Sequence, residues 1–305
     1  MLAFTVPSSP LPLRAGVGLK PQHYACALEA VSASIDDPQS PPAWFEVHPQ
    51  NYFCAGGPPH HWLTALAEVA PLSFHSVGLS LGSADGVNLD ELEQLATLCE
   101  RYAPAMVSDH LSWSGSASNR YPDLLPVPYT EEALDHFAAQ VGRVQDRLGR
   151  AMLIENPSRY LAFAGDTMSE ADFLHALCQR SGCGLLLDIN NIEVSATNLG
   201  LDPGAMVDAI DPALVGEVHL AGHATEHHDH GPLLIDDHGS AVSHATWQLF
   251  ERFAARAGPC PVLIEWDTNV PEFDVLLAEA AIADAIIRRA VRGREALRAS
   301  LHAVA

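Results

Sequence analysis

Lysine is almost missing from this chain: Lys20 is the only one. Lysine and arginine together number 16 against 38 aspartates and glutamates, which leaves a formal charge of −22 over 305 residues. A phosphate backbone is held mainly by clustered Lys and Arg, so the charge argues against non-specific binding to nucleic acid. The same deficit disfavours docking on an anionic membrane surface. No run of about 18 apolar residues occurs, so no spanning helix is expected. The opening MLAFTVPSSPLPLR has no basic n-region and is broken by prolines, which is not the pattern of a signal peptide. A cytoplasmic protein is expected.

Other absences narrow the chemistry. The six cysteines (Cys26, Cys54, Cys99, Cys178, Cys183 and Cys260) form no C-x-x-C pair, so neither a disulfide framework nor a thiolate zinc site is expected. There is no P-loop and no G-x-S-x-G elbow. The glycine-rich turn of a dinucleotide-binding sheet is missing too, because GVGLKPQH does not fit G-x-G-x-x-G. The chain is still globular in composition, with 48% apolar and 18% charged residues.

What the chain has is a repeated alternation. Eight short apolar runs recur: AGVGL (15–19), AWFEVH (43–48), LSFHSV (72–77), AMVSDH (105–110), AMLIEN (151–156), GLLLDIN (184–190), VGEVHLAG (215–222) and PVLIEWD (261–267). Stretches of helical period separate them, and several carry start signals. Asn88 with Glu91 forms a capping box, Ser169 with Asp172 its acidic variant, and Thr130 precedes Glu131 and Glu132. The Ala-rich stretch 271–300 suits a closing outer helix. Eight strand–helix units predict an α/β fold, a (β/α)8 barrel, as a single domain over residues 1–305 with its core at 15–292.

Seven of the eight runs finish with a carboxylate, a histidine or both. They present Glu46 and His48, His75, Asp109 and His110, Glu155 and Asn156, Asp188 with Asn190 and Asn191, His219, then Glu265 and Asp267. One acid at a strand end is ordinarily a helix cap or a solvated loop residue. Seven strand ends meeting on one barrel face would crowd carboxylates that repel each other unless cations sit among them. Mixed His and Asp/Glu donors suit iron, manganese or zinc, whereas calcium prefers oxygen alone. The loop after the seventh run adds His223, His227, His228 and His230, and closes on Asp236-x-His238. Its HHDH patch reads most simply as a solvated loop.

HSVGLSLG (75–82), VSDHLSW (107–113), LLPVPYT (124–130), ENPSRY (155–160), LDINNIEVSATN (187–198), HLAGH (219–223), DDHG (236–239) and LIEWD (263–267) resemble a known family. It is the multinuclear non-haem iron family that contains the methanobactin-biosynthesis oxygenase, and the likeness runs from about Gly16 to Ile287. The resemblance implies a xylose-isomerase-like barrel holding two or three iron ions in mixed ferrous and ferric states. It implies O2 as co-substrate, a cysteine-containing ribosomal precursor peptide as substrate, and a separate partner protein that binds the peptide leader. The ligand order is also similar to that of three-zinc apurinic-site endonucleases. Together these resemblances imply His75, Asp109 or His110, Glu155, Asp188, Asn191, His219, Asp236, His238 and Glu265 as ligands, with Asn191 a weak one. Glu155, Asp236 and His238 are the expected catalytic positions. His48, Asn51, Asn156 and His223 are expected on the substrate side.

Two other readings use the same residues. A divalent-metal sugar isomerase or epimerase would need a base or a lysine near the site, and Lys20 is the only lysine available. A non-enzymatic metal-binding protein would favour closed, saturated sites, which a set containing Asn191 does not provide.

Overall fold

The structure is a computed structural model and describes residues 11–33, 40, 42–116, 119–229 and 231–304. The first ten residues of the amino-terminal segment and His230 lie outside the described residues. Eight parallel strands close into a barrel: β1 (Ala15–Gly18), β2 (Phe45–Val47), β3 (Leu72–His75), β4 (Met106–His110), β7 (Leu153–Glu155), β8 (Gly184–Asp188), β9 (Val215–Leu220) and β12 (Val262–Ile264). Each of the eight apolar runs supplies one of them. Parallel strands are buried on both faces, which is why these runs are continuously apolar rather than alternating.

Two hairpins not foreseen from the sequence interrupt the alternation. β5 (Trp113–Ser116) pairs with β6 (Asn119–Leu125), and β10 (Ala224–His228) pairs with β11 (Gly231–Ile235), both antiparallel. His227 and His228 of the histidine-rich patch are exposed on the first strand of the second hairpin.

The helices begin where their capping residues stand. Asn88 caps α3 (Leu89–Tyr102), Thr130 caps α4 (Glu131–Leu148) and Ser169 caps α5 (Glu170–Ser181), each accepting a backbone N–H three residues on. The other helices of the ring are α1 (Tyr24–Ala33), α2 (Pro58–Ala67), α6 (Ile189–Leu199), α7 (Pro203–Ala209), α8 (His244–Ala257) and α9 (Phe273–Val304). Helix α9 packs on β1 and β12 and so covers the seam where the barrel closes. Buried Asp284 fastens it there by accepting from Arg14 at 2.8 Å and from the Ala15 amide at 2.8 Å.

Side chains two apart on a strand share a face. Trp44, Met106, Leu153, Leu186 and Leu263 point inward and pack with Leu11 as an apolar plug low in the barrel. Two residues further along, the same chain segments bring Glu46, Ser108, Glu155, Asp188 and Glu265 inward, all buried. The plug is tight: a Cβ added at Gly16 would lie 2.4 Å from the Trp44 ring. Gly142, in the middle of α4, has open space around it.

These two glycines should respond oppositely to alanine. Gly16→Ala overpacks the plug and should lower unfolding free energy by about 1–3 kcal/mol. Gly142→Ala should raise it by about 0.5–1 kcal/mol through helix propensity. Urea denaturation of the two variants checks both signs.

Candidate metal centre

The in-register ladders bring the strand-end groups together. Neighbouring strands pair His75 with Ser108, His110 with Glu155, and Asp188 with His219. Glu155 Oε2 lies 3.0 Å from His75 Nε2 and 3.2 Å from His110 Nε2, and those two nitrogens are 3.2 Å apart. His219 Nδ1 lies 2.9 Å from Glu265 Oε2, which is also 3.4 Å from His238 Nδ1. His238 Nε2 in turn is 2.7 Å from Asp236 Oδ1.

Buried triads overlap in this way, among them His75–His110–Glu155, His75–His219–Glu265, Glu155–Asp188–His219 and Glu46–Glu217–His219. Within each, the potential ligand atoms lie within 4.8 Å of one another. His110 Nδ1, Asp188 Oδ2 and Asn191 Oδ1 are buried with no hydrogen-bond partner. An unpartnered buried polar atom is costly, and three in one place is the condition that cations relieve. The donor set of imidazole and carboxylate fits iron, manganese or zinc.

Local chain geometry explains several placements. Asp188 ends β8 and caps α6, its Oδ1 accepting from the Asn191 amide at 2.6 Å. The helix that starts there carries Asn191 back over the site, where its Nδ2 donates to Glu155 Oε1 at 3.1 Å. Asp188 thus converges with Asn191, three residues on, whereas Asn190 reaches Asp236. Asp236 and His238 meet because His238 adopts a left-handed φ of 43°, not because the segment is extended. Such backbone is held only where neighbours fix it, and the His238 carbonyl accepts from the Asp267 amide at 2.8 Å.

Of the alternatives Asp109 and His110, the structure turns His110 into the cluster. Both Asp109 oxygens accept backbone amides, from Leu79 at 3.1 Å and from His110 at 2.6 Å. The expected substrate residues divide as well. His48 lines a cavity of about 440 Å³ above the cluster, together with Tyr160, Asp236, Asp267 and the end of β6. Asn51 is exposed and lies outside that cavity. Asn156 bridges β7 and β8 instead of facing it, donating to the Asp188 carbonyl and accepting from the Asp188 amide, both at 2.9 Å. His223 is 2.8 Å from Asn190, whose amide donates to Asp236.

Sequence reasoning missed Glu217, which is fully buried beside His219. It passed over Glu46 and Asp267 after noting them at strand ends, and it missed the pairing of Lys20 with Asp267 at 2.5 Å. The signal for Glu217 was its spacing, two residues before His219 on one strand.

Residues 14–288 match the model of the RiPP precursor modification enzyme MbnB/TglH/ChrH family. The chain belongs to that family. A UPF0276 protein of Caulobacter sp. (strain K31) is 47% identical over 265 residues, covering 87% of this chain and 93% of that one. Among solved structures, L-ribulose 3-epimerase superposes with a TM-score of 0.56 at 14% identity, covering 99% of this chain and 95% of that one. Endonuclease IV from Thermus thermophilus gives 0.53 at 16% identity, covering 92% and 99%. These two likenesses establish the xylose-isomerase-like barrel fold. Among the described residues, no helix is long and apolar enough to cross a membrane.

Burial opposes charge on the Glu155–His110 pair, but their mutual attraction prevails. Glu155 and Asp109 hold His110 up at about 9, and His110 and His75 bring Glu155 down to about 2. A histidine raised above its ordinary 6.5 stabilises the metal-free fold fully below that value, and the contribution is lost as pH rises through about 9. Cation binding has the opposite sign, because a ligand imidazole must shed its proton. The melting temperature of chelator-treated protein should therefore fall from pH 6.5 to 9, while zinc affinity rises over the same interval. Differential scanning fluorimetry and metal competition titrations measure the two trends; flat profiles in both would remove the His110 pairing.

Proposed function

We propose that this chain is a multinuclear iron, O2-dependent enzyme that modifies a cysteine of a ribosomally made precursor peptide. The observation that carries the reading is the set of overlapping buried triads with unpartnered donor atoms. A single ion needs one such group, while residues shared between groups suit ions held side by side. Family membership supports the peptide-modifying role. In this reading His75, His110, Glu155, Asp188, Asn191, His219, Asp236, His238 and Glu265 hold two or three ions. Bound iron would supply electrons for O2 reduction and lower the pKa of the substrate thiol.

The protein's own groups then have distinct tasks. Glu155, common to two triads, would help to hold more than one ion. Asn191, a weak donor, leaves room in the set. Asp236 and His238 face the cavity and meet an entering cysteine. The wall formed by Leu124, Leu125, Pro126, Pro157 and Leu161 excludes water around it. His48 is steadied against Asp267 at 3.4 Å, where it would orient the peptide. Because the cavity admits an extended peptide core and the rim hairpin β10–β11 is exposed, a separate leader-binding protein would complete the complex at that rim.

Anaerobically purified protein should carry at least about two equivalents of iron by elemental analysis. Glu155→Ala or Asp188→Ala should lose more than one ion, because removing an anionic bridge leaves adjacent cations uncompensated. Full iron retention in both variants would sink the ligand assignment.

The substrate claim has its own measurement. Exposed to O2 with a cysteine-containing precursor peptide encoded beside its gene, and with the adjacent leader-binding protein, the iron-loaded chain should change the peptide mass at the cysteine. An isolated chain that works as fast as the mixture would make the partner dispensable.

A further inference from the structure

Beside the central cavity lies a second one of about 570 Å³, and the two share Val77, Asp123 and Leu124 in their walls. Asp90, Glu91 and Gln94 in the first turns of α3 form one side, and β6 from Arg120 to Leu124 forms the other. Strand β6 is shaped for this position. Its register pairs Trp113 with Leu125 and Gly115 with Arg120, so Tyr121 to Leu124 stand opposite Ser114 alone. Such a bulge re-aims side chains, and all four of these residues line the second cavity. The Ser114 amide donates to Ser80 Oγ at 2.9 Å, which ties the hairpin to the segment preceding α3. Glu91 is fixed as well: its Oε1 accepts from Gln50 Nε2 at 2.7 Å and its Oε2 from Asn88 Nδ2 at 3.4 Å. The carboxylate can lie there because residue 78 is glycine, where a Cβ would collide with Oε1.

We infer that this second cavity takes the stretch of substrate peptide next to the modified cysteine and selects a lysine or arginine there. The inference rests on the proposed peptide-modifying reading. Because the cavities share walls, a chain with its cysteine in the first can continue into the second. Leu125 lines the first and Arg120 the second, about five residues apart on β6, or at most about 17 Å of extended chain. The selected residue therefore falls within about five positions of the cysteine. Asp90, Glu91 and Asp123 line this cavity against one guanidinium, that of Arg120. An excess of carboxylate attracts a cationic side chain and repels an acidic one. Asp90 is exposed, whereas Glu91 is half-buried and so less screened by salt.

The test uses the iron-loaded chain, the adjacent leader-binding protein and the cysteine-containing precursor encoded beside its gene. Each position within about five residues of the cysteine is made Lys in one peptide and Glu in another. Mass spectrometry follows modification. At one or more positions on one side of the cysteine, the Glu peptide should show a KM about tenfold above that of the Lys peptide, with kcat little changed. The D90N/E91Q variant should cut that gap to under about threefold, and high salt should shrink it too. Equal KM values for Lys and Glu peptides at every position overturn the inference, as does a gap that D90N/E91Q leaves intact. If the wild type modifies no peptide at all, the peptide-modifying reading fails and the inference with it. If it modifies all of them with equal KM, only the inference fails. Should the variant not fold, the wild-type peptide series and its salt dependence decide.

Discussion

Burying charge inside a barrel is the constraint on which the rest of this structure depends. Glu46, Glu155, Asp188, Glu217 and Glu265 share one sealed interior with His75, His110, His219 and His238. Each lone carboxylate moved from water to such a place would protonate sooner than stay charged. The environment sorts them instead. Burial, with Glu155 nearby, pushes Asp188 well above the usual carboxylate range, and burial likewise raises Glu46. Burial opposes the charge on Glu265, yet His238 and His219 hold it well below that range. Histidines set among the acids keep an imidazole against Glu46, Glu155 and Glu265.

Keeping these groups in place takes most of the local structure around them. The apolar plug below them seals one end of the barrel, and the ladders fix the height of each strand end. Above, the ENPSRY segment is braced from outside. The Arg159 guanidinium lies 4.4 Å from the centre of the Tyr129 ring, donates to Asp166 at 3.1 Å, and so anchors the loop that follows Glu155. Tyr129 belongs to LLPVPYT and donates to Glu170 at 2.7 Å. Tyr160 accepts from the Asp236 amide at 2.9 Å, which ties the same loop to the DDHG turn. Several conspicuous motifs thus act as supports for the turns that carry the clustered acids and histidines.

The neighbours with the same fold carry different chemistries in their names, an epimerase and an endonuclease. Fold alone therefore does not choose the reaction. At this chain's site the β5–β6 hairpin and the 157–161 loop wall the cavity, and its only lysine is bound to Asp267 at the rim.

Continuous apolar runs, capping residues and the polar ends of the runs were legible because they depend on neighbours a few residues away. These settled the barrel, the starts of α3, α4 and α5, and the strand-end position of the candidate residues. Direction was not legible. Asp109 and His110 are adjacent and chemically alike as candidates, and only the approach of the Leu79 amide from another loop turned Asp109 away. Nor was it legible that β8 takes both ends of the Asn156 amide. The His238 turn and the two hairpins depend on contacts between segments far apart in the chain. The sequence by itself determined which groups arrive at the mouth of the barrel. Which of their atoms face one another was decided by the tertiary structure, because strand register and loop packing set side-chain direction and neither is encoded locally.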